Sequence, residues 1–118
     1  MTETQFTSKL IKELRQCLPG SFIMKHADGY SAGIPDISIS SGRDTLWLEA
    51  KLTSNPKIFE PLQFAILEKL HGHYIIWDTK SRRGCKFHAY KIFERSEVQE
   101  RCVLDFHELV QNILNEVR

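Results

Sequence analysis

Apolar residues recur along the chain at two distinct periods, and each period predicts its own elements. Near the N-terminus Phe6, Leu10, Leu14 and Cys17 fall at helical spacing as a buried stripe, which Pro19-Gly20 ends. A strand is expected over 21–25, where Phe22, Ile23 and Met24 lie together. An irregular, glycine-bearing stretch over 26–34 leads to two alternating segments, 36–40 and 45–51. Between them lies Ser41-Gly42-Arg43-Asp44, whose residue types favour a turn. Pro61 suits the first position of a second helix and Gly72 its end, with Leu62, Ala65 and Ile66 as the apolar face. Residues 73–77 and 85–92 read as further strands. The clearest element is the last: Asp105 can cap a helix on which Phe106, Leu109, Val110, Ile113, Leu114 and Val117 form one stripe. The order α-β-β-β-α-β-β-α describes an α/β architecture, a mixed sheet flanked by helices, and 118 residues suit a single domain, 1–118.

Alternation in the two central segments carries a further consequence. Ile37 and Ile39 point to one face, Asp36, Ser38 and Ser40 to the other; Leu46, Leu48 and Ala50 share a face opposite Trp47, Glu49 and Lys51. If the aliphatic faces coincide, an antiparallel hairpin brings Asp36 beside Glu49 and Lys51 at its open end. Two carboxylates so placed repel each other unless a cation or proton intervenes, and hard oxygen ligands select Mg²⁺ or Mn²⁺. The alternative is a surface hairpin with an ordinary Glu49–Lys51 ion pair worth under about 1 kcal/mol. On the first helix Glu3 extends the buried stripe; it either lies at the rim of a site or serves the first turn, where the helix dipole favours acids.

Charge and composition narrow the picture only locally. Net charge is +1, which says nothing about a polyanionic partner. Between Asp78 and Glu94, however, there is no acid, while Lys80, Arg82, Arg83, Lys86 and Lys91 occur there. That run either contacts phosphates or forms a solvated hairpin turn. The three cysteines lack a CxxC pair, arguing against a disulfide framework or structural zinc and for a reducing interior. His71-Gly72-His73 has metal-compatible spacing but reads better as a helix end. The longest apolar runs, such as Tyr74-Ile75-Ile76-Trp77, are too short to cross a membrane, and the polar N-terminus resembles a helix start rather than a secretory signal.

Gly33-Ile34-Pro35-Asp36, a hairpin, then Glu49-Ala50-Lys51 resembles the PD-(D/E)XK nuclease superfamily, whose fold is the restriction-endonuclease-like mixed sheet. Ser31 to Asp36 with Pro61-Leu62-Gln63 is similar to its small VRR-NUC-like and phage branches, related to Holliday-junction resolvases. The likeness runs from Glu3 to about Trp77. It implies that Asp36, Glu49 and the main-chain carbonyl of Ala50 ligate a catalytic Mg²⁺ (or Mn²⁺), and that Lys51 is the catalytic lysine. Gln63 would lie near the active site, and Glu3 would be the first-helix acid through Glu3-Thr4-Gln5-Phe6, with Glu13 as the fallback. The implied activity is an endonuclease acting on DNA in the cytoplasm of a bacterial or phage-infected cell, with no small-molecule cofactor. With no spare domain to read bases, selectivity would rest on DNA shape. A homodimeric junction resolvase and a non-catalytic nucleic-acid-binding module are the two alternatives.

Overall fold

The structure is a computed structural model, and it describes residues 2–26, 33–42, 44–53, 60–79, 87–92 and 98–117. Its elements are α1 (Glu3–Cys17), β1 (Phe22–Lys25), β2 (Ile37–Ser41), β3 (Asp44–Leu52), α2 (Pro61–Lys69), β4 (His73–Trp77), β5 (Phe87–Ile92), β6 (Val98–Val103) and α3 (Phe106–Glu116). The strands form one mixed sheet in chain order. β3 and β4 pair in parallel and the other neighbours antiparallel. A parallel pair needs a crossover, and α2 supplies it.

The two sheet faces are covered unequally. On one, Ile37, Ile39, Leu48, Ala50, Leu52 and Ile75 pack with Phe6, Leu10 and Leu14 of α1 and Leu109, Val110 and Ile113 of α3. On the other, α2 builds a smaller cluster of Leu67, Tyr74 and Ile76, with Trp47 and Phe64 against it. The register Ile37↔Leu48 and Ile39↔Leu46 puts the aliphatic sides of β2 and β3 together. The polar sides therefore share the α2 face. Both long helices are capped from their own sequence: the Thr2 hydroxyl accepts from Gln5 N–H, and Asp105 accepts from Glu108 N–H. The α3 stripe is spent on the core.

Phe6 is fully buried, edge-on to Trp77 at a centroid separation of 5.3 Å and 6.1 Å from Phe87. Phe6→Ala is expected to destabilise the fold by about 3–5 kcal/mol through lost transfer energy and the cavity left behind. Urea unfolding followed by circular dichroism measures it; a loss under about 1 kcal/mol would mean that α1 does not seal the core.

Several elements depart from what periodicity predicts. Cys17 is exposed and free, because it is the last residue of α1; Thr7 and Ile11 complete the buried face instead. On α2, Leu62 and Ala65 are exposed while Leu67 is buried. Leu62 and Ile66 turn toward Gly33, where a Cβ would stand 3.1 Å and 2.6 Å from them. His71, not Gly72, takes the left-handed conformation after α2 (φ 53°), and Gly72 N–H closes on the Leu67 carbonyl. Gly72 is required for space: a Cβ there would meet the Leu67 side chain and lie 2.8 Å from the Trp47 carbonyl oxygen. β6 is an additional edge strand between β5 and α3. Gln99, Glu100 and Arg101 at its centre hide it from an apolar pattern, since an edge strand is paired on one side only. Cys102 on β6 is disulfide-bonded, against the expectation of unpaired thiols in a reducing interior, because pairing is set by the fold and not by spacing along the chain. Among the described residues no helix is long and apolar enough to cross a membrane.

Candidate active site

β3 outruns β2. Ile37, the first residue of β2, lies opposite Leu48, so the last four residues of β3 (Glu49–Leu52) have no β2 partner. Main-chain N–H groups left bare and buried are costly, and side-chain carboxylates satisfy them here. Ala50 N–H donates to Asp36 Oδ2 at 3.1 Å, and Leu52 N–H donates to Glu3 Oε1 at 3.2 Å. Two acids from distant segments are thus drawn to one strand edge. Within a strand, one residue's N–H and C=O share an edge, so the Ala50 carbonyl faces the same side as Asp36.

Glu49 projects from β3 on the α2 face, beside the Asp36 carboxyl. Lys51 Nζ lies 3.5 Å from Glu49 Oε1, and both side chains are buried. Burial first, then the Asp36 charge, pushes the Glu49 carboxyl up to about 8. Burial likewise raises Asp36, with Glu3 adding to the effect and the Ala50 N–H and Lys51 opposing it. Tyr74, opposite Glu49 on β4, is pushed above the usual phenol range by burial and by the charges of Glu49 and Glu60. The pocket therefore resists ionisation of its acids unless a cation compensates the charge.

Glu49 Oε2 is buried with no hydrogen-bond partner among the described residues, and so is Oε1 of Gln63 on α2. Gln63 N–H is held at 2.9 Å by Glu60, the N-cap of α2. An orphaned buried oxygen on a member of a carboxyl pair is what a cation-binding site leaves exposed to its ligand. Among the described residues no three His, Cys, Asp or Glu side chains gather tightly enough to hold a metal alone. A donor set of Asp36, Glu49 and the Ala50 carbonyl is sparse, which fits an ion such as Mg²⁺ that keeps several waters.

A cleft beside Asp36 is lined by Glu3, Thr4, Thr7, Lys25 and His26. Glu3 is the α1 acid that reaches it; Glu13 is not among the lining residues. His26 was not foreseen. Its N–H donates to the Asp36 carbonyl at 2.7 Å, its ring bonds Ser38 Oγ at 2.7 Å and lies 5.4 Å from the Trp47 ring. Its position at the end of β1, directly before the glycine-bearing stretch, is the signal that could have found it. Gly33 adopts φ +86°, so Gly33→Ala strains the approach to Asp36 by about 1–2 kcal/mol and presses on Ile66. Lys80, Arg82, Arg83 and Lys86 lie outside the described residues.

No protein-family model and no curated protein matches the chain. Among solved structures, the chain is similar to Archaeoglobus fulgidus Hjc, a Holliday junction resolvase from an archaeal hyperthermophile. The identity is 18%, the TM-score 0.49, and the match covers 92% of this chain and 95% of that one.

Proposed function

We propose that the chain is a divalent-metal-dependent nuclease that hydrolyses DNA phosphodiester bonds, with Mg²⁺ as its metal and Mn²⁺ able to replace it. The observation that carries this reading is the pairing of half-buried Asp36 with buried Glu49, with Lys51 Nζ 3.5 Å from Glu49 and an orphaned oxygen on Glu49. A protein that only bound DNA would gain nothing from two carboxyls facing phosphate, because like charges repel.

Asp36, Glu49 and the Ala50 carbonyl would hold the ion, which would supply positive charge at the scissile phosphate and acidify a water. The protein's own groups do the rest. Lys51, fixed against Glu49, places its ammonium where charge develops on the phosphate oxygens. The Ala50 N–H keeps the Asp36 carboxylate oriented, and Glu3, held by Leu52 N–H, closes the rim. Gln63, whose Oε1 is buried with no partner among the described residues, would add a neutral acceptor beside the substrate. On this reading the substrate is selected by shape rather than by base sequence, and cleavage is internal.

The test is incubation of the protein with plasmid, linear duplex, single-stranded and four-way-junction DNA, and with RNA, in Mg²⁺, Mn²⁺ or EDTA. Cutting of DNA that requires the metal is expected. Absence of cutting on every substrate, together with no Mn²⁺ binding by calorimetry, would leave a non-catalytic module instead.

A further inference from the structure

We infer that the groove between α1 and the β1 edge binds the phosphate backbone of the substrate away from the cut; the inference rests on the nuclease reading for the nature of the ligand. The groove is lined by Ser8, Ile11, Lys12, Arg15 and Gln16 of α1 and by Lys25 of β1. Three of these six are cations and none is an acid. In a chain whose net charge is only +1, that concentration is a local field, and local fields of one sign attract a polyanion.

Two geometric facts connect the groove to the site. Lys25 lines both the groove and the cleft that contains Glu3 and Asp36, so the two depressions adjoin at that residue. Arg15 Nη2 donates to the Ile23 carbonyl at 3.1 Å, which ties the guanidinium to the outer edge of β1. The edge strand offers that carbonyl because, among the described residues, no strand pairs beyond it. Arg15 is therefore held across the groove with further donors available, a planar fork suited to phosphate. Lys12 and Lys25 are exposed and need no rearrangement to meet a ligand. Ser8 and Gln16 add neutral donors of the kind that contact phosphate oxygens without reading sequence.

Fluorescence anisotropy with a labelled duplex in EDTA, where metal-dependent cutting is suppressed, tests the groove over a range of salt. Lys12→Ala and Lys25→Ala are each expected to make the slope of log affinity against log salt shallower by about one, and the double variant by about two, equally on unrelated sequences. Lys69→Ala, an exposed lysine on α2 outside the groove, should keep the parental slope. An unchanged slope in the double variant overturns the inference, as does an equal change in Lys69→Ala. Cleavage in Mg²⁺ is scored separately. Parental cutting with unchanged slopes defeats the groove alone, whereas shallower slopes without any cutting defeat the nuclease reading and leave the groove standing.

Discussion

Lys51→Ala and Asp36→Asn are expected to keep the fold and to lose metal-dependent cleavage by at least about 10²–10³-fold, the scale on which one group stabilising transition-state charge contributes. The fold survives for local reasons. Asn at 36 still offers an oxygen to Ala50 N–H, so the edge of β3 that Asp36 satisfies stays satisfied. Removing the Lys51 ammonium leaves Glu49 without its 3.5 Å counter-charge, and Glu49 answers by holding its proton more tightly rather than by unfolding the strand. Neither residue belongs to the large aliphatic face of the sheet. The measurement is the initial rate of plasmid nicking in Mg²⁺ beside the urea-unfolding midpoint of each variant. Rates within threefold of the parent for both variants would remove these residues from the chemistry. A collapse of the unfolding midpoint would make them structural.

Metal affinity should climb steeply with pH. The Glu49 carboxyl titrates at about 8, so below that pH a divalent ion must displace a proton to use it. For one displaced proton the apparent Mn²⁺ affinity rises about tenfold per pH unit from pH 6 toward 8, then levels. Calorimetry in buffers of different ionisation enthalpy reads the released proton directly, and Glu49→Gln should abolish both binding and release. Stability without metal should run the other way. The ordinary value for this carboxyl is 4.5, so between pH 4.5 and about 8 the folded chain keeps a proton that the unfolded chain has lost. Stability therefore falls as pH rises through that window, by up to about 1.4 kcal/mol per unit, and Mn²⁺ restores it most at the alkaline end. A flat Mn²⁺ affinity from pH 6 to 8 would show that Glu49 is already ionised and that burial does not govern it.

How much of this was legible in the chain differs from residue to residue. Asp36, Glu49 and Lys51 share a face because strand side chains alternate and because the aliphatic positions of 37–39 and 46–50 permit one register. Both facts lie within a few residues of each other, and β2 and β3 pair as they require. The capped α1 and α3 were legible for the same reason. The buried side of α2 was not. Leu62, Ala65 and Ile66 form an acceptable apolar stripe, yet Leu67 is the residue driven into the sheet, since the docking of a short helix is decided by where β3 and β4 leave room. His26 had only its position before the glycine-bearing stretch to mark it, because a lone histidine acquires its role from the Ser38, Asp36 and Trp47 that the fold sets around it.

By itself, then, the sequence determined the periodic elements, their caps, the hairpin and the common face of its two acids and lysine. These depend on side chains close along the chain and on the geometry of a single helix or strand. Only the tertiary structure decided that Glu3 stands with them, that Glu49 is buried deeply enough to hold its proton near neutrality, and that a basic groove runs from Lys25 along α1. Those features arise from groups far apart in the chain. A strand that outruns its neighbour leaves N–H groups bare, and whichever carboxylates packing brings within reach must satisfy them.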